Sequence, residues 1–118
     1  MNAIRVHRFG GVEALRTEDV PRPRPAEGEV LVRVMAAGVG PWDAWVREGR
    51  SAVPQTLPLI PGADIAGVID AVGDGVTAFA PGDAVFGATN EHFTGGYAEY
   101  AVASVATLAR KPPPVGFD

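Results

Sequence analysis

Cysteine is absent from the 118-residue chain, which removes disulfides, thiolate nucleophiles and cysteine-ligated zinc together. Basic runs are absent as well. Ten Lys and Arg are scattered among fourteen Asp and Glu, for a net charge of -4, and no aromatic residues interleave with them, so no nucleic acid partner is expected. No apolar stretch reaches the length of a membrane span, and the opening MNAIRVHRFGG lacks both the apolar segment and the cleavage pattern of a secretory signal. A cytoplasmic location away from membranes is the default reading. Histidine is scarce: His7 and His92 stand far apart with no HxxH or HExxH spacing, a poor zinc constellation. No serine has a GxSxG setting.

Glycine and proline are plentiful instead, at fifteen and eleven residues, and they punctuate short β-type runs. A chain of this length makes about one domain, able to bury roughly two-thirds of its unfolded surface. Alternation predicts a strand from Ala3 to Phe9, a turn at Gly10 and Gly11, and a second strand from Ala14 to Val20. Pro21, Pro23 and Pro25 then force an extended surface connector. Glu29 to Val39 is the strongest strand, with Val30, Val32 and Val34 on one face and Leu31, Arg33 and Met35 on the other. Another strand is expected within Leu59 to Gly75, where Gly62 and Gly67 let a neighbour approach the backbone closely. Short strands follow at Ala84 to Gly87, Tyr97 to Ala103 and Val105 to Ala109. The three prolines at 112–114 stop regular structure, and Gly116 to Asp118 read as a turn with a helix N-cap at the last residue.

Pro41 to Gly49 is the one helical candidate, with proline suited to its first turn and glycine to its end. Trp42 and Trp45, three apart, project to the same side of it. Trp42 is expected to be a core anchor, whereas Trp45 is either a core anchor or a wall for a flat ring ligand beside the small residues AAGVG. Chemistry from residue types is otherwise thin. Gly73 and Gly75 begin a GxGxxG, but Ala78 and the turn FAPG break it, so a phosphate loop gives way to a glycine turn. Asp64 and Asp70 share a face of an extended strand yet lie roughly 20 Å apart, too far for a catalytic pair. Asp83, in a PGD turn, is expected to cap its own backbone.

In their order and spacing, the segments EGEVLVRVMAAGV, GPWDAW, LPLIPGADIAGVIDAVGDGV, PGDAVFG and GGYAEYAVA resemble the N-terminal catalytic domain of the medium-chain dehydrogenase/reductases. The nearest branch is the zinc-independent, zeta-crystallin-like quinone oxidoreductases. That resemblance implies a mainly β fold, a GroES-like, partly open β-barrel with short helices over residues 1–111. Residues 112–118 would be the linker and start of a Rossmann domain that binds NADPH and is absent from this chain. It further implies hydride transfer to a quinone or an activated C=C or carbonyl acceptor, a small-molecule substrate and a homodimer. Zinc alcohol dehydrogenases of the family carry a cysteine where this chain has Gly40 and a His-Glu pair where it has Ala63 and Asp64, so no zinc is expected. Asp83 to Gly96 is also too short for their cysteine-rich lobe. The quinone-reductase branch usually has asparagine at Gly40 and tyrosine at Trp45, both facing the nicotinamide. The implied pocket comprises Gly40, Pro41, Asp43, Trp45 and Asp64, with no residue assigned a catalytic proton. The alternative is a stand-alone GroES-like binding or assembly module, although no mobile apolar loop of the co-chaperonin kind is evident.

Overall fold

The computed structural model describes residues 1–118. Seven strands and one α-helix make up its regular structure, so the mainly β expectation holds. The central unit is an antiparallel five-stranded sheet whose middle strands are β3 (Glu29–Ala37) and β4 (Asp64–Val72). β6 (Tyr100–Ser104) flanks β3 on one side, and on the other β5 (Ala84–Ala88) joins β4 to β7 (Leu108–Arg110). A separate hairpin pairs β1 (Asn2–Arg5) with β2 (Arg16–Asp19). Main-chain bonds stitch that hairpin to the larger sheet: the Ile4 amide donates to the Tyr97 carbonyl at 2.8 Å, and Val6 and Leu59 exchange bonds at 2.9 and 3.0 Å. The strands do not close into a continuous ring, and the barrel stays partly open.

Alternation explains the core. Val30 and Val32 from β3, Ile65 and Ile69 from β4, Val85 from β5 and Ala101 and Ala103 from β6 are all buried in one cluster. At Gly67 the two strands leave no room for a side chain, since a Cβ built on it would lie 2.1 Å from the Arg33 carbonyl oxygen. A second cluster of Val6, Ala14, Val46 and Leu59 seats the helix α1 (Pro41–Glu48) against the hairpin.

Several element boundaries differ from those expected. The first strand stops at Arg5 and not Phe9, because its partner has already curled into a 3-10 turn at Val12–Ala14. The second strand therefore begins at Arg16, and Ala14 is buried in that turn. β3 ends at Ala37, before Val39. Tyr97 and Ala98 lie outside β6 because they pair with the segment at Ile4. The run expected over Val105 to Ala109 splits into a 3-10 turn, Val105–Thr107, and β7, because the Ser104 hydroxyl accepts from the Ala106 amide and bends the chain. The proline connector is extended as expected, pinned where the Arg22 guanidinium lies 3.7 Å from the Tyr100 ring centroid and 3.9 Å from Asp70. The closing residues 116–118 enter no helix. No helix is long and apolar enough to cross a membrane.

Candidate functional site

The site grows from the end of β3, where the side chains shrink through Ala36, Ala37 and Gly38. The Gly38 amide donates to the Asp64 carbonyl at 2.8 Å, locking the exit of β3 to the entry of β4. Two residues on, Gly40 takes an extended conformation (φ -119°, ψ 168°) as the N-cap of α1. Having no side chain, it cannot cap the helix itself. Asp43 does so from the third helical position, its Oδ2 accepting the Gly40 amide at 2.9 Å and placing a negative charge in the first turn. Pro41 supplies a preset φ where no amide donor is needed. Gly49, at φ 75°, ends the helix.

One face of this short helix is buried through Val46 and Asp43, which are 0% and 5% exposed. The adjoining face carries Trp42 and Trp45, 37% and 48% exposed. The spacing argument put both indoles on one side correctly, but the expectation that Trp42 is a core anchor is overturned. Val46, one turn on from Trp42, fills that role, and the larger indole is left at the edge of the buried face. The Trp42 ring lies against Gly40: a Cβ at Gly40 would fall 2.3 Å from Cζ2 of the indole.

Asp43 has a second partner that sequence spacing could not supply. The Tyr97 hydroxyl donates to the same Oδ2 at 2.9 Å, across 54 residues of chain. Tyr97 is itself held by its backbone, its amide donating to the Pro61 carbonyl at 2.9 Å. Its ring packs over Gly62, where a Cβ would sit 2.5 Å from ring carbon Cδ1. Burial, the bond to Asp43 and the charge of that carboxylate together push the Tyr97 hydroxyl well above the usual tyrosine range. The other Asp43 oxygen, Oδ1, is buried without a protein partner. A cavity of about 260 Å³ lies here, lined by Val39, Gly40, Asp43, Arg47, Pro61 and Tyr97 among others.

Asp64 stands at the exposed start of β4 and lines a different, mostly apolar cleft of about 400 Å³ with Ala36, Ala37, Gly38, Ile65 and Phe86. Of the five residues singled out from the sequence, Gly40, Pro41, Asp43 and Trp45 thus share the first turns of α1. Asp64 joins them through the Gly38 main-chain bond, its side chain on the neighbouring cleft. Trp45 lines neither of the two cavities and presents its indole at the surface beside them. Gly73 and Gly75 form a turn against the start of β3, with the Gly73 amide bonded to the Glu29 carbonyl at 2.8 Å. A Cβ at Gly73 would fall 1.9 Å from the Ala26 carbonyl oxygen, so that glycine serves close packing and not a phosphate cradle. Asp83 caps its own turn as expected, accepting the Ala80 amide at 2.9 Å, and also pairs with Arg110. His7 pairs with Glu18, and no three His, Cys, Asp or Glu side chains converge as a metal site would require.

Residues 26–113 match the alcohol dehydrogenase GroES-like domain family. The chain belongs to that family. Among curated proteins, this GroES-like domain is 47% identical to a quinone oxidoreductase of Lama guanicoe and 44% identical to that of Homo sapiens, with 99% of the chain and 35% of each relative covered. Among solved structures it superposes on the quinone oxidoreductase of Escherichia coli complexed with NADPH at a TM-score of 0.90 and 28% identity, over 99% of this chain and 35% of that one. The resemblance drawn from the motifs is therefore borne out, as is the GroES-like fold. The chain spans about a third of the length of these relatives.

Proposed function

We infer that this GroES-like domain, residues 1–111, is the substrate-side half of an NADPH-dependent oxidoreductase. Residues 112–118 lead toward a nucleotide-binding domain. The observation that carries the reading is the half-exposed indole of Trp45 on α1, the helix that follows the small-residue end of β3, in a chain 47% identical to a quinone oxidoreductase. A flat, uncharged indole surface suits a planar nicotinamide or acceptor ring. No glycine-rich strand-to-helix phosphate loop is present, so the phosphates and adenosine fall to the other domain. When bound, NADPH supplies the hydride that reduces a quinone or an activated C=C or carbonyl group.

The residues here bind and orient. Trp45 covers apolar ring surface, Gly40 and Pro41 bring main chain close, and Asp64 marks the acidic lip of the neighbouring cleft. Asp43 is committed to the helix cap and Gly40 has no side chain, so the mouth of α1 offers no acid of its own, and the product takes its proton from water. Hydride transfer depends on positioning more than on an acid. Gly40, Ala63 and Asp64 stand where zinc dehydrogenases carry ligands, which supports a reaction without zinc. A small-molecule acceptor, a homodimer and a cytoplasmic location complete the reading.

Calorimetric titration with NADPH tests the division of labour. The full-length gene product is expected to bind at micromolar concentrations and the 118-residue chain far more weakly. Equal, tight binding by the chain alone would contradict it, and no binding by the full-length product would favour a GroES-like module without catalysis.

A further inference from the structure

Tyr97 joins three segments that sequence order keeps apart. Its carbonyl accepts from Ile4 in β1, its amide donates to Pro61 ahead of β4, and its hydroxyl reaches Asp43 inside α1. The Asp43 Oδ2 that receives this bond also receives the Gly40 amide, so one oxygen of a buried side chain ties the first turn of the helix both to its own cap and to the segment that leads into β6. The later turn of α1 is held by Val46, packed with Val6, Ala14 and Leu59, and by Arg47, whose carbonyl accepts the Gly10 amide at 3.0 Å and whose Nε donates to the Gly10 carbonyl at 3.1 Å. Those contacts fix the C-terminal end of the helix and leave the setting of its first turn to Asp43. A charge-assisted hydrogen bond has a preferred direction and fixes that setting. Leaving the carboxylate in place while removing the hydroxyl would make the buried Oδ2 lose one of two donors, in a side chain whose Oδ1 already has none.

We propose that Asp43 and Tyr97 form a positioning pair: they do not touch substrate or cofactor, but set the angle at which α1 presents Trp45 and the Gly40–Pro41 main chain to the reacting rings. This rests on the reading of the α1 mouth as the reactive site. It also assigns Asp43 a different part from the pocket lining inferred from sequence.

The test uses the full-length gene product with NADPH and a benzoquinone, and compares Tyr97→Phe, Asp43→Ala and Asp43→Asn with the unmodified protein. A small misplacement of reacting groups reduces turnover by about tenfold to a hundredfold, so Tyr97→Phe is expected to lower kcat within that range while KM for NADPH stays within about twofold, as for binding that resides elsewhere. Asp43→Asn, which keeps one oxygen able to accept from both donors, is expected to recover most of what Asp43→Ala loses. Amide hydrogen exchange supplies a readout independent of activity. In Tyr97→Phe, exchange at the Gly40 amide is expected to quicken by about tenfold while the paired amides of β3 and β4 keep their rates, because the loosening is local.

Two results overturn the proposal: kcat and Gly40 exchange both unchanged in Tyr97→Phe, or exchange quickened equally in helix and sheet, which would make the bond a scaffold only. Should Tyr97→Phe fail to fold, the contrast between Asp43→Asn and Asp43→Ala decides by the same two readouts. Should the unmodified protein oxidise no NADPH, the functional reading falls, and local against global exchange still decides whether the pair holds the helix.

Discussion

The Trp42 indole occupies the space that a side chain on Gly40 would need, with Cζ2 2.3 Å from where its Cβ would stand. Gly40 has an extended backbone that any residue can adopt, so the indole alone demands glycine here. Gly40→Ala is expected to fold, with the half-exposed Trp42 displaced outward and a loss of about 1 kcal/mol or somewhat more. Adding Trp42→Ala should remove that penalty. A double-mutant cycle by denaturant unfolding checks it, and a coupling near zero would mean that the two residues do not compete for the space.

Trp45→Ala tests the exposed face of α1. At 48% exposure the indole contributes little to the core, so the expected change in melting temperature is small. The loss should fall on kcat/KM of the full-length product, by roughly five- to 150-fold, or about 1 to 3 kcal/mol of transition-state stabilisation. A large drop in melting temperature with kcat/KM intact would return Trp45 to the core.

Tyr97 predicts an alkaline limit. Its hydroxyl is held above the ordinary tyrosine value, first by burial and then by Asp43. Folding therefore favours the protonated form. The stability tied to this group is whole below pH about 10, the unfolded value, and drains away as pH rises toward the higher folded value. Denaturant midpoints measured from neutral pH upward should fall more steeply above about 10 in the unmodified chain than in Tyr97→Phe. Parallel curves would contradict the assignment.

Gly67→Ala should be among the most damaging single methyls in the sheet. Its Cβ would press on the Arg33 carbonyl, a backbone atom in the strand alongside with no room to move. An overpacking loss of about 3 kcal/mol is expected, read as a shift of the denaturant midpoint. A change under about 0.5 kcal/mol would mean that the strands can part there without penalty.

Much of this was legible in the sequence because local periodicity and tertiary demand agree. Val30, Val32, Ile65 and Ile69 alternate as strands buried on one face, and Gly67 announced a close approach that the β3–β4 pairing makes. What escaped depends on contacts between distant segments. Alternation alone runs the first strand on to Phe9, because nothing at Val6 to Phe9 reveals that the opposite chain turns away at Val12–Ala14. The helix is legible from Pro41 and Gly49, but residue size points to Trp42 as its anchor, whereas burial follows Val46 toward the hairpin. Tyr97 read only as a strand residue: its hydroxyl meets Asp43 54 positions away, and no local pattern encodes that meeting.

Hydride transfer from NADPH at the mouth of α1, proposed above to need no metal, can be followed directly. The most direct measurement is the initial rate at which the full-length product, treated with a chelator and freed of it, oxidises NADPH in the presence of a quinone. The expected result is acceptor-dependent oxidation at the same rate before and after treatment, slowed several-fold or more by Trp45→Ala. No acceptor-dependent oxidation, or a rate abolished by the chelator and restored by zinc, would contradict the account.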